Sequence, residues 1–181
     1  YANGYFWDGT EDRKYRGKFE LYPSSNEGFN VINILNIEEY LFSVLPSEMP
    51  AWWPDEALKA QAIAARSYAL KNINKHKYEG YDLCDTVHCA VYNGIKSETE
   101  KTNNIILETI GEIAVYNDKP ITAVFSSNSG GYSEKSKEIW STKIDYLDGQ
   151  NNLINSNYSF PLEPYMIENW LIDEPYSYSN N

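Results

Sequence analysis

The chain has 181 residues, 42% of them hydrophobic and 23% charged, a composition of folded globular proteins with length for one domain and its core. Its net charge of -11 argues against nucleic acid and against an anionic membrane surface, since both are held by clustered Lys and Arg. No apolar stretch approaches the roughly 20 residues of a membrane span.

In chain order, a start at Tyr1 instead of Met reads as a processed or trimmed product, so a missing signal or anchor is uninformative. The alternation in Lys18-Phe19-Glu20-Leu21-Tyr22 and again in Phe29 to Leu35, across a turn rich in Ser, Asn and Gly, predicts a β-hairpin. Asn36 to Leu45 reads as a short helix capped by Asn36, with Glu38 and Glu39 in its first turn and Tyr40, Leu41, Val44 and Leu45 on one face. Pro46 is expected to end it, leaving Pro46-Ser47-Glu48-Met49-Pro50 as a loop pinned by proline at both ends. The strongest helix is expected from Pro54 to Lys75, with Pro54 at its start and an alanine-rich interior that lets other backbone approach closely. Glu79 to Gly94 is loop-rich and holds both cysteines. Thr99 to Thr109 reads as a helix with Ile105, Ile106 and Ile110 on a common side, and Ile113 to Phe125 as a hairpin turning at Asn117-Asp118. Ser126 to Gly131 is a polar turn, and Tyr146 to Asn181 reads as irregular. The expected fold is α+β in a single domain. Its long helix would pack against antiparallel strands, with a loop-rich metal-binding segment attached.

Several blocks in order carry a family resemblance: Ile37-Glu38-Glu39-Tyr40-Leu41, Pro46-Ser47-Glu48-Met49-Pro50, and Trp53-Pro54 with Glu56-Ala57-Leu58-Lys59-Ala60-Gln61-Ala62. Ala64 to Leu70, Asp85-Thr86-Val87-His88-Cys89, Val91-Tyr92-Asn93-Gly94 and Phe125 to Tyr132 continue it. The chain resembles, from about residue 15 to 150, the catalytic domain of the stage II sporulation protein D family, which includes an amidase-enhancer branch. The resemblance implies a lytic transglycosylase acting outside the cytoplasmic membrane during forespore engulfment, anchored through an N-terminal segment absent from this chain. Its substrate would be peptidoglycan glycan strands denuded of peptide stems. Its partners would be a cell-wall amidase or endopeptidase and membrane proteins of the engulfment machinery. The family's catalytic glutamate falls on Glu48.

Glycoside cleavage needs a proton delivered to the leaving oxygen, and a transglycosylase manages with one carboxylate because the sugar's own C6 hydroxyl is the nucleophile. Glu48 suits that task, with Met49, Trp52 and Trp53 as neighbours that would keep water away. Lys59, Gln61 and Arg66 are polar exceptions on the long helix. Lys59 and Arg66, seven apart, share a face suited to a lactyl carboxylate. Ser126, Ser127 and Ser129 offer donors for acetamido or hydroxyl groups. His76, Cys84, His88 and Cys89 are all the histidines and cysteines of the chain and make a zinc set by type. A closed set of four would be structural. A Cys84–Cys89 disulfide is the alternative. The rival functions are a non-catalytic glycan-binding enhancer and a metallohydrolase with an open metal position.

Overall fold

A computed structural model describes residues 12–24, 28–126, 128–153 and 162–173. The described residues form an α+β fold of five α-helices with three small two-stranded antiparallel ladders, and the chain divides into two compact units between Val124 and Phe125. Among the described residues no helix is long and apolar enough to cross a membrane.

The first unit opens on β1 (Lys18–Pro23) and β2 (Phe29–Ile34), the hairpin the alternation predicts, paired in the register Lys18 with Ile34 through Pro23 with Phe29. α1 runs Ile37–Glu48, and the Asn36 carboxamide accepts the Glu39 N–H at 2.9 Å as its N-cap. Pro46 does not stop it. A proline removes one N–H from the ladder, but here it sits in the final turn. That turn is held by Met49 N–H on the Leu45 carbonyl (3.0 Å), by Ser47 Oγ on the Ser43 carbonyl (2.8 Å), and by burial of Leu41, Val44 and Leu45. Glu48 is therefore the last residue of a helix, not the middle of a loop.

α2 runs Asp55–Lys71 behind Pro54 and stops four residues short of the expected end, where residues 72–75 turn and Asn74 adopts a left-handed φ of 66°. α3 (Glu100–Glu108) is capped by the Thr99 hydroxyl, which accepts the Thr102 N–H at 3.1 Å. Leu58, Ala62 and Ala65 of α2 meet Leu41, Val44 and Leu45 of α1 and Ile105 and Ile106 of α3 in one core, joined by Ala90 and Tyr92. Each fully buried Leu or Ile there contributes about 1.5–3 kcal/mol. Ile110 lies past the end of α3 and is exposed, so it leaves the expected apolar side. The main neighbours of α2 are thus helices rather than the expected strands. Its apolar stripe is narrow and alanine-rich, which fits a second helix better than a sheet face. The strand it meets belongs to the short hairpin β3 (Val115–Tyr116) and β4 (Lys119–Pro120), turned by Asn117 and Asp118 with φ of 49° and 59°.

In the second unit, β5 (Tyr132–Lys135) pairs with β6 (Asp148–Asn151), and between them lies α4 (Ser136–Trp140). α5 spans Pro164–Asp173. The stretch after Tyr146 is thus not irregular throughout. Its strand is four residues long, too short for a readable alternation, and its helix starts on a proline amid turn-forming residues.

Candidate active site and metal centre

Glu48 is half-buried at the C-terminal end of α1, and its Oε1 accepts the backbone N–H of Val91 at 3.4 Å. Two other half-buried carboxylates of the first unit are neutralised by arginine forks. Glu38 is held by Arg66 at 2.7 and 3.0 Å, and Glu98 by Arg16 at 2.8 and 2.9 Å. Among the described residues no cation pairs with Glu48. Met49 packs against the core, and Trp53 is half-buried with its ring edge-on to Trp52 at 6.1 Å. Trp52 itself is 80% exposed, so it adds little of the expected shielding.

The polar residues of α2 part company. Arg66 is 1% exposed and, besides Glu38, donates to the carbonyls of Glu112 (2.9 Å) and Ile106 (3.4 Å). Lys59 bonds Glu56 and Glu108, both at 3.1 Å. The two cations do share a face, as their spacing predicts, but it is turned to α3, and protein carboxylates and carbonyls occupy them where a lactyl carboxylate was expected. Arg66→Met leaves the half-buried Glu38 without its partner. It is expected to lower the unfolding free energy by about 3–5 kcal/mol, read from urea melts, and a loss under about 1 kcal/mol would show the pair to be dispensable. Gln61 differs. It is 8% exposed and, among the described residues, its Nε2 has no hydrogen-bond partner, an unspent buried donor on the opposite flank of the core-facing stripe. Tyr68, seven residues on, shares that flank, and its hydroxyl accepts from Lys75 at 3.3 Å. The buried Tyr40 hydroxyl is also without a partner among the described residues. Burial first, then the nearby Cys89, Tyr68, Cys84 and Glu48, push its ionisation well up, so it stays a neutral donor close to both Glu48 and the cysteines.

In the second unit, Ser126 Oγ bonds the Asn128 carbonyl at 3.3 Å, and Ser129 Oγ accepts from Asn152 at 3.4 Å. Ser127 lies outside the described residues.

His76, Cys84, His88 and Cys89 converge, with one ligand atom of each within 4.8 Å of all the others. Zinc bonds of about 2.3 Å to sulfur and 2.0 Å to nitrogen in a tetrahedron put S and N about 3.5 Å apart. The distances here are 3.4 Å from Cys89 Sγ to His76 Nε2, and 3.6 and 3.7 Å from Cys84 Sγ and Cys89 Sγ to His88 Nδ1. The donor set and its spacing fit a tetrahedral soft-metal site. Both cysteines are free thiols, not a disulfide.

The surroundings suit thiolate ligands. Burial opposes ionisation of Cys84, but bonds from the Thr86 hydroxyl and backbone, then from Cys89 and His88, outweigh it and bring the thiol down to about 6. Burial holds Cys89 up. His76 Nδ1 is bonded to Glu79, the carboxylate that fixes a ligand imidazole's orientation from behind. Glu79 and the Val91 N–H are the site groups the sequence reading missed. Glu79 carried a signal, three residues after His76 and so within reach on one turn; a backbone donor carries none.

A stage II sporulation protein family model matches residues 25–116. An uncharacterised protein of Brachyspira hyodysenteriae is 39% identical over 151 residues, covering 81% of this chain and 39% of that protein. The amidase enhancer of Bacillus subtilis is 43% identical over 107 residues, 59% of this chain and 14% of the enhancer. Stage II sporulation protein D of Bacillus subtilis is 34% identical over 142 residues, 70% of this chain and 40% of that protein. The chain therefore spans two fifths or less of the length of each of these relatives. The matched segment holds the whole of α1, α2 and the four-ligand cluster, and on that match the chain belongs to the stage II sporulation protein D family.

Proposed function

We propose that this chain is a peptidoglycan lytic transglycosylase with Glu48 as its general acid and base. The observation that carries the reading is a half-buried carboxylate met by a backbone N–H instead of a cation, where Glu38 and Glu98 are spent on arginines. A carboxylate free of an ion pair keeps its capacity to give and take a proton. Glu48 donates its proton to the oxygen between N-acetylmuramic acid and N-acetylglucosamine as that bond breaks. The C6 hydroxyl of the muramic ring then closes on C1 and returns its proton to Glu48. The product is a 1,6-anhydro end, and no water is consumed. A hydrolase would need a second carboxylate. Of the nearest in sequence, Asp55 is paired with Lys101 at 2.9 Å and Glu56 with Lys59.

Zinc held by His76, Cys84, His88 and Cys89 would be structural, because a closed four-ligand set leaves no open position for water. The long helix, α2, with Gln61 as its unspent donor, would line the glycan side of the site. The substrate would be glycan strands stripped of peptide stems, outside the cytoplasmic membrane, with an amidase or endopeptidase and engulfment membrane proteins as partners. Anchoring would lie in a segment beyond this chain.

Digestion of purified strands in heavy-oxygen water tests the chemistry. The new muramic ends are expected to be anhydro forms without label by muropeptide mass spectrometry. Label at reducing ends means hydrolysis. A second reading is favoured by the identity to the amidase enhancer: no ends of either kind, with stimulation of a purified cell-wall amidase, would make the chain a glycan-binding enhancer.

A further inference from the structure

Residues 89–93 run beside the C-terminal half of α1 and are tied to it repeatedly. Ala90 is buried in the core with Leu41 and Leu45. The Val91 N–H reaches Glu48 at 3.4 Å. Asn93 N–H donates to Ser43 Oγ at 2.9 Å, and Asn93 Nδ2 donates to Ser47 Oγ at 3.3 Å, one residue before Glu48. Both ends of this segment are fixed. Cys89 belongs to the four-ligand cluster, and Lys75 Nζ clasps the carbonyl of His88 at 2.9 Å. At the other end Gly94 has a φ of 70°, and a Cβ there would lie 2.3 Å from the Lys14 carbonyl oxygen, so glycine alone allows the approach. The Ile95 N–H closes that end on the same carbonyl at 2.8 Å.

We propose that this segment is a strap that positions the Glu48 carboxylate, with the Val91 N–H and the Asn93 side chain as positioning groups and the four-ligand cluster as its anchor. The proposal rests on the reading of Glu48 as acid and base. Glu48 ends its helix, so no following turn packs on its side chain and its torsions need an outside restraint. The Val91 N–H supplies one on Oε1, and among the described residues no hydrogen bond holds Oε2. Val91 is two residues from Cys89, a span of at most about 7 Å of chain, so movement at the cluster reaches Glu48 through little slack. A misplacement of about 1 Å at such a group is enough to cost up to about a hundredfold in rate.

The test reads the Val91 amide directly in isotope-labelled, zinc-loaded protein. Its resonance is expected to move in Glu48→Ala. Its exchange with deuterated solvent is expected to quicken at least about tenfold when a chelator strips the zinc, while the Ile105 and Ile106 amides of α3 keep their protection. Asn93→Ala is expected to lower kcat on glycan strands about tenfold or more at unchanged KM, with the melting temperature within about 4 °C of the parent. A Val91 amide indifferent to both changes, or Asn93→Ala with the parent kcat, overturns the strap. Amide responses as expected in a chain that cleaves no glycan support the strap and overturn the acid/base reading instead.

Discussion

Glu48→Gln is expected to stay folded and to lose about a hundredfold or more of its glycan-cleaving activity, the usual contribution of a positioned acid/base group. The fold should tolerate the change because Glu48 makes no ion pair among the described residues, and the glutamine carbonyl oxygen accepts the Val91 N–H as the carboxylate does. A surface or half-buried isosteric change of this kind costs on the order of 0.5 kcal/mol. The amide neither protonates a leaving oxygen nor takes the C6 hydroxyl proton, so the loss should fall on kcat with KM little changed. Release of anhydro-muropeptides, followed by chromatography beside a thermal melt of the same preparation, makes the comparison. Activity near that of the parent in a folded variant would remove Glu48 from the mechanism.

Stripping metal from the cluster is expected to bring a large change in stability. Protein purified under reducing conditions should carry about one zinc per chain, with sulfur near 2.3 Å and nitrogen near 2.0 Å by X-ray absorption. Free zinc at a thousandfold above its dissociation constant stabilises the native state by about 4 kcal/mol. For a chain of this size its removal should lower the melting temperature by on the order of ten degrees. Cys84→Ser should bring the same fall. His76, Cys84, His88 and Cys89 span a segment where Tyr78, Val87 and His88 are exposed, so apolar burial does little to hold it. Metal-free protein lacking free thiols would establish a Cys84–Cys89 bond and overturn the zinc assignment. Metal with three protein ligands and a bound water would turn attention to metallohydrolase chemistry.

Features written in short-range pattern were legible before any coordinates. Alternation marked the β1–β2 hairpin, Asn36 and Thr99 marked the starts of α1 and α3, and Asn117-Asp118 marked the later turn. The four zinc-type residues could be assembled because they fall within fourteen positions and their chemistry singles them out among 181. Each of these rests on hydrogen bonds or periodicities spanning a few residues, which the chain states locally. The helix through Pro46 was missed because the local penalty of a proline is readable, while the burial of Leu41, Val44 and Leu45 that offsets it is not. Arg66 looked like a ligand for substrate because its partner Glu38 is 28 positions away, and only the docking of α2 on α1 brings them together. The Val91 N–H comes from 43 positions beyond Glu48 and belongs to the backbone, which has the same donor at every residue but proline. The amino-acid sequence by itself thus determined where α1, α2 and α3 begin, which residues are of metal-binding type, and which glutamate the family match points to. The tertiary structure decided which polar groups are already spent on one another and which, Glu48, Gln61 and Tyr40 among the described residues, are left without a cation or a partner, because that depends on how helices dock rather than on the order of residues along them.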